Sequence, residues 1–465
     1  MLCNPDNVMH NSITLRRGLD LQLSGRVADN APTVEVTPNS IAIVPDDFTG
    51  LTPKVVVKPG EKVVAGQPII VDKNNTDIAV VSPVGGTISE VVRGERRKVL
   101  RVVIAVEQQS EAPAADTTPI APKDPASIRK SLMSSGVWAM MRQLPYDIVP
   151  DPSVTPRDIF ITTFDSAPLA APILTGIDAD DSTMAAGLKA LLQLTPGNIY
   201  IGVRTADLST HWIEEAAKMD RVCVTEFAGK HPAGLPSIQA ALQAPVNKGE
   251  TVWLTDAETL SRIGSVVKTG ACSWSTLVAL TGSEVETPCM IRTIIGAEIG
   301  SLISGRLKKA DHHLRIISGN VLTGWKTSAE GFLRYPYRHI TVIPEGDDVD
   351  EFMGWASMSP KKMSENRSFL SKLFGRKNFS PDARLNGGRR AMIMSGQYEK
   401  VMPTDIMPEQ LIKAILSRDI DRMEALGIYE VTPADFALCE YIDPSKLELQ
   451  KIVRQGLDYL RKELS

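Results

Sequence analysis

Between Val55 and Arg97 the chain reads VVVKPGEKVVAGQPIIVDKNNTDIAVVSPVGGTISEVVRGERR, a series of short β-branched runs broken by Pro59-Gly60, Gly66, Asn74-Asn75 and Gly85-Gly86. Valine and isoleucine favour a pleated strand, while Gly and Asn accept the positive φ that tight reversals need. Punctuation this dense leaves no room for a helix and specifies hairpins. Two similar phrases, VKPGEKVVAGQPIIV and VVSPVGGTISEVV, flank the turn DKNNT, so each supplies a hydrophobic strand pair to one small, quasi-symmetric flattened barrel.

These residues resemble the biotinyl/lipoyl carrier fold, in which a lysine at a hairpin tip bears the prosthetic group, and Lys73 lies close to that place. Its surroundings, Asp72-Lys73-Asn74-Asn75, differ from the Met-Lys-Met or Asp-Lys-Ala of carrier tips, and read as a solvated turn. The β region begins at Ile13 (ITLRRGLDLQLSG) and finishes with Val99–Val106. EQQSEAPAADTTPIAPKDPAS follows, poor in large apolar residues and rich in Ala and Pro, as a linker or surface strap is.

With 465 residues, 43% of them hydrophobic, the chain can bury several cores, which suggests about three domains. Lys and Arg number 51 against 55 Asp and Glu, so there is no global cationic field for nucleic acid. No apolar run approaches the roughly 18 residues of a membrane span, and MLCNPDNVMHN lacks the basic start and apolar core of a signal peptide. The expectation is a cytoplasmic chain. Cys3, Cys223, Cys272, Cys289 and Cys439 are widely spaced, the pattern of reduced buried thiols rather than of a disulfide framework, a zinc site or a four-cysteine cluster motif.

Past Pro125 the pattern becomes strand and helix in alternation. Asp158–Thr163, Asn198–Val203, Arg221–Thr225 and Thr251–Leu254 are short apolar runs, alternating with helical periods such as MAAGLKALLQL and AETLSRIGSVVKTG. This rhythm predicts a parallel sheet with ligands beyond the strands' carboxyl ends, at Thr163-Phe164-Asp165, Arg204-Thr205 and Glu226–Pro236. The glycines of EFAGKHPAGLP suggest a phosphate cradle, but Leu235-Pro236 stands where a P-loop needs Lys and Ser/Thr, and no GxGxxG follows any strand. His231 in this loop is either a ligand or base, or a structural residue before Pro232.

Residues 271–303 run strand, glycine-containing turn, strand and short helix, a small β-grasp-like unit. Arg334-Tyr335-Pro336-Tyr337 then forms an aromatic, basic stretch between further strands. Lys361–Arg390 holds nine basic residues against Glu365 and Asp382, interleaved with Phe369, Leu370, Leu373, Phe374 and Phe379. That segment reads either as a surface for anionic lipid or partner loops, or as a solvated loop. Pro408–Leu426 and Leu447–Leu464 have helical periodicity.

RRGLDLQLSG, the barrel phrase, FAGKHPAGLPS, VALTGSEVETP, VIPEGDD, YEKVMPTDI and EALGIYEVTPADFALCEY occur in one collinear order along nearly the whole chain. Together they resemble the NqrA family of the Na⁺-translocating NADH:quinone reductases, which is related to the flavin-carrying subunit of complex I and to the Rnf complex C subunit. The resemblance implies a multidomain α+β and α/β chain: a biotinyl/lipoyl-like β-sandwich at 1–110, a linker at 111–126, a Rossmann-like domain at 127–262, an SLBB-like β-grasp domain at 263–330, and a mixed, helix-ended segment at 331–465. It implies a peripheral subunit on the cytoplasmic face of the bacterial inner membrane, without a complete catalytic site, partnered by subunits B to F and chiefly by the B subunit in the membrane.

No cofactor is expected in this chain; FAD, FMN, riboflavin, iron–sulfur or other iron centres, NADH and quinone would be handled by the other subunits. In LCEYIDPSK, Cys439 remains while Asp443 stands where relatives often carry Cys before Pro. Candidates for a quinone- or partner-facing surface are His231, Pro232 and Gly234, the stretch Arg334, Tyr335 and Tyr337, and the basic residues Lys372, Arg376, Lys377, Arg389 and Arg390. The alternative readings are a lipoyl/biotin-type carrier and a dehydrogenase subunit that binds flavin and NADH.

Overall fold

The computed structural model describes residues 11–107, 124–348, 363 and 378–464. The Ala/Pro-rich stretch up to residue 123 and the basic residues Lys361, Lys362, Arg367, Lys372, Arg376 and Lys377 lie outside them.

Seven strands form the expected barrel-sandwich. Ser40–Ile43, Val99–Val106, Gly86–Arg93 and Lys62–Val63 make one antiparallel sheet, and Pro53–Val55, Pro68–Asp72 and Ala79–Val81 make the other. Ile41, Ile69, Ile88, Val102 and Ile104 are completely buried in its core. Lys73 is exposed in a turn closed by the Asn75 carboxamide, which accepts the Asp77 N–H. Such a turn needs no bound group to hold it.

In the second sheet Val222–Gly229, Ile199–Val203, Ile159–Thr162 and Val252–Asp256 lie side by side and parallel, so the first strand in the sequence pairs with both the second and the fourth. Both faces are covered. Ile159 and Ile161 point to the core shared with helices Asp181–Leu194 and Ala257–Thr269, while Phe160 points to the core shared with Pro236–Gln243. This is why the strands read as unbroken apolar runs. Gly187 and Gly264 let the first two helices touch: a Cβ on Gly264 would lie 2.0 Å from the Thr183 carbonyl oxygen.

The third sheet runs Trp325–Thr327, Leu314–Ser318, His339–Pro344, Ser275–Thr281, Cys289–Ile294 and Thr33–Glu35. Helix Ile299–Ile303 packs into the core under it. Helices Pro408–Ser417, Ile420–Ala425, Ala437–Ile442 and Leu449–Leu464 enclose a separate core, to which Leu19, Leu21 and Leu23 contribute.

Three strands cross the continuous boundaries expected from sequence. Asn11–Leu15, read as the start of the barrel, pairs in parallel with Val222–Gly229 at the edge of the α/β sheet. Thr33–Glu35 completes the β-grasp sheet beside Cys289–Ile294, and His339–Pro344, beyond residue 330, lies near that sheet's centre. Cuts at 110 and 330 therefore do not separate the sheets. Cys272, Cys289 and Cys439 are free thiols, but Cys223 is disulfide-bonded, which corrects the expectation of a reduced thiol there. Among the described residues no helix is long and apolar enough to cross a membrane.

Candidate functional site

An open parallel sheet binds ligands where neighbouring strands send their chains to opposite sides, beyond their carboxyl ends. Here that switch point lies between Thr162 and Asp256. It is filled by the protein itself. Arg338, from the residue before the β-grasp strand His339–Pro344, donates from Nη1 to Asp256 Oδ2 at 3.0 Å and to Glu258 Oε2 at 2.7 Å. Arg262 closes the cluster from one helical turn beyond Glu258, donating from Nη2 to Glu258 Oε1 at 2.8 Å and to the Ser275 carbonyl at 2.9 Å.

The electrostatics are self-contained. Burial pushes the Asp256 carboxyl up, but Arg338 and the hydrogen bonds from Thr259 together outweigh it and leave the group below the usual carboxylate range. Glu258 behaves in the same way, with burial opposed by Arg262 and Arg338. Two carboxylates and two guanidinium groups thus neutralise one another. A residual cavity of about 10 Å³ beside Asp256, Arg262, Tyr335 and Arg338 is no larger than one water. The amino end of helix Ala257–Thr269, where a phosphate would sit, is capped by Asp256 Oδ1, which accepts the Thr259 N–H at 2.7 Å. Carboxylates at that position repel an anion, so these residues do not fit a nucleotide's phosphates.

The glycine loop after Val222–Gly229 is likewise committed to its own chain. The buried His231 ring places Nδ1 3.0 Å from Ser166 Oγ, and its backbone N–H donates to Asp20 Oδ1 at 3.0 Å. Its carbonyl accepts the Leu19 N–H, and Gly234 donates to Ser166 Oγ at 2.8 Å. A Cβ on Gly234 would lie 2.6 Å from the Ser166 nitrogen, so this glycine serves the approach of two protein loops. Burial pushes the His231 imidazole down against the opposing charges of Asp165 and Asp20, which favours the neutral ring. His231 thus makes its hydrogen bonds within its own chain, and Pro232 and Gly234 complete the same packed turn.

Arg334, Tyr335 and Tyr337, candidates for a quinone- or partner-facing surface, use their polar groups at a junction of domains. Arg334 Nε donates to the buried Asp47 of the barrel at 2.6 Å, and its guanidinium lies 4.4 Å from the centre of the Trp325 ring. Tyr335 stacks on Phe48 of the barrel, with ring centres 5.8 Å apart, and its hydroxyl donates to the Met140 carbonyl at 2.7 Å. The Tyr337 hydroxyl donates to the Thr323 carbonyl. One five-residue stretch, ending at Arg338, therefore ties the barrel, the α/β sheet and the β-grasp sheet together.

Arg389 and Arg390 do remain at the surface, on a segment that crosses the loop before helix Leu449–Leu464. Arg389 pairs with Glu448 at 2.9 Å, and the Arg390 N–H donates to the Ser445 carbonyl at 3.0 Å. Beneath them Asp443 accepts the N–H groups of Ser445 at 3.0 Å and Leu447 at 2.7 Å, so its carboxylate is used in shaping the loop. Cys439 is buried, and its thiol lies 3.9 Å from the Tyr398 carbonyl. Among the described residues no three His, Cys, Asp or Glu side chains are placed to hold a metal.

Sequence reasoning missed the cluster at the switch point. Glu258 and Arg262, four apart on a predicted helix, were the available signal. Arg338 gave none, because its 80-residue separation from Glu258 leaves no local pattern.

Three family descriptions match the chain: an NqrA N-terminal barrel-sandwich hybrid domain over residues 13–107, an NqrA second alpha/beta domain over 123–272, and an NQRA C-terminal (SLBB) domain over 277–329. The A subunit of the Na(+)-translocating NADH-quinone reductase of Serratia proteamaculans (strain 568) is 35% identical, covering 97% of this chain and all of the relative. The protein of the same name from Neisseria meningitidis serogroup A is 34% identical, with the same coverage. A solved chain of an NAD⁺-reducing [NiFe]-hydrogenase in the H2-reduced state reaches a TM-score of only 0.38, at 13% identity over 77% of this chain and 66% of that one.

Proposed function

Because the chain belongs to the NqrA family of the Na⁺-translocating NADH-quinone reductases, we propose that it is the peripheral, non-redox subunit of such an enzyme. In this reading it sits on the cytoplasmic face of the inner membrane and joins subunits B to F, docking chiefly on the B subunit in the membrane. Those subunits carry FAD, FMN, riboflavin and the iron centres that pass electrons from NADH to quinone as Na⁺ is exported. This chain covers the quinone-reducing subunit, excludes water and shapes the quinone pocket from outside.

The observation that carries the reading is the filled switch point. An α/β domain whose crevice holds Arg338, Asp256, Glu258 and Arg262 has spent its ligand site on joining domains. A chain built this way contributes shape and contact. We further propose that its domains be assigned by sheet rather than by continuous ranges, with Asn11–Leu15, Thr33–Glu35 and His339–Pro344 placed in the sheets they complete.

The test is to tag the chain in its native host, extract membranes in mild detergent, and assay the purified material. Recovery of a multi-subunit complex with Na⁺-stimulated NADH:quinone reduction, and of a colourless chain after separation, is expected. A lone protein carrying flavin, or a mass increase on Lys73, overturns the reading. Arg389→Glu with Arg390→Glu is expected to weaken recovery of the partners; unchanged recovery removes that segment from the docking face.

A further inference from the structure

The hairpin joining Gly86–Arg93 to Val99–Val106 turns through Gly94, Glu95, Arg96, Arg97 and Lys98. Arg96 and Arg97 have φ of 52° and 61°, both in the left-handed region. Turns of this hand strongly favour Asn and Gly, since an ordinary side chain there crowds its own carbonyl. Two successive arginines are therefore a costly choice, and local packing does not explain it, because both side chains are exposed.

What the turn presents is charge. Arg93, Arg96, Arg97 and Lys98 fall within six residues that include only one acid, Glu95. Lys98 is paired with Asp46 at 2.7 Å, and Arg93 Nη1 donates to the Arg97 carbonyl at 3.2 Å, which stiffens the turn. Among the described residues Arg93, Arg96 and Arg97 have no ion-pair partner. Leu100, exposed to 43%, stands at the base of the same turn against Gly94. Planar guanidinium groups that pair phosphate through two N–H bonds, with an aliphatic side chain beside them, suit the headgroup region of an anionic bilayer.

We propose that this hairpin is a contact site for anionic phospholipid headgroups, with Arg96 and Arg97 binding phosphate and Leu100 resting against the interface. The site deepens the peripheral-membrane reading above and rests on it. It is distinct from the Arg389–Arg390 segment and lies on the barrel, between two of its paired strands.

The experiment uses the full purified chain with vesicles of phosphatidylcholine alone or mixed with phosphatidylglycerol. The wild-type protein is expected to sediment with the anionic vesicles only, and to release as ionic strength rises. The discriminating variant is Arg96→Asn with Arg97→Gly, the residues such a turn prefers. It is expected to bind about 30-fold more weakly, from about 1 kcal/mol per arginine at an anionic surface, while its melting temperature is unchanged or higher. No wild-type binding, undiminished binding by the variant, or a fall in its melting temperature overturns the inference. Co-purification of membrane partners is read on the same variant. Retained partners with lost vesicle binding support a lipid site; lost partners, with no wild-type vesicle binding, overturn it in favour of an acidic protein loop. Wild-type protein that recovers partners but ignores vesicles sinks the lipid site alone and leaves the place in the complex standing.

Discussion

The switch-point crevice and the junction around Asp435 both bury carboxylates, and they handle the charge in opposite ways. In the crevice Asp256 and Glu258 each meet a guanidinium group and stay below the ordinary carboxylate range. At the junction Asp435 accepts Ser237 Oγ at 2.6 Å and the Thr432 N–H at 2.6 Å, with no cation among the groups that act on it, and burial pushes it up to about 7. Glu430 nearby is also pushed up to about 7 by burial and by Asp405 and Asp435. Neutral hydrogen-bond partners satisfy a carboxyl group without making its ionisation cheap. One junction is therefore insensitive to pH near neutrality, and the other titrates there.

The strongest way to break this contrast is to remove one cation from the crevice. Arg338→Met leaves Asp256 facing no guanidinium and Glu258 facing only Arg262, and is expected to cost about 3–5 kcal/mol in denaturant unfolding of the domains it joins. A loss under about 1 kcal/mol shows that water reaches and solvates the carboxylates.

The next largest effect concerns pH. Asp435 holds its proton to about pH 7 in the folded chain and loses it near 3.8 when unfolded, so its contribution is fully present below about pH 4. That contribution falls as pH rises toward 7, by an amount on the order of 1.4 kcal/mol per unit of pKa difference. Asp435→Asn keeps an acceptor for Thr432 and offers a donor to Ser237, and is expected to flatten the stability profile between pH 4 and 7. Melting temperatures across that range decide it, and parallel wild-type and variant profiles assign the slope to other groups.

The smallest effect sharpens the role of the Arg334–Arg338 stretch. Tyr335→Phe keeps the ring stacked on Phe48 but removes the bond to the Met140 carbonyl, and should cost about 1–2 kcal/mol because that acceptor is left buried. No change in unfolding midpoint means that water replaces the hydroxyl.

Much of the fold is legible from local pattern. The β-branched runs and turn residues of Val55–Arg97 give the barrel, since period and punctuation act over a few residues. The apolar runs at Ile159–Thr162, Ile199–Val203 and Val252–Asp256 are strands buried on both faces, with Asp180 and Asp256 capping the helices that cover them. The candidate residues lie in different surroundings. Arg389 and Arg390 stand at the surface as a charge-rich segment suggests, whereas Arg334, Tyr335 and Tyr337 look the same in sequence and turn inward. Composition cannot tell these cases apart, because what distinguishes them is Asp47, nearly three hundred residues from Arg334.

By itself, the order of residues determined each hairpin, each strand-and-helix alternation and the family to which the chain belongs, because these rest on neighbours in sequence. Only the tertiary structure decided that Asn11–Leu15 would edge the α/β sheet, that Thr33–Glu35 would complete the β-grasp sheet, and that Arg338 would occupy the crevice. An edge strand can satisfy its backbone on any compatible sheet, and a guanidinium group can pair with any buried carboxylate within reach. Which partner is taken depends on how whole domains pack, and that information is spread over the entire chain.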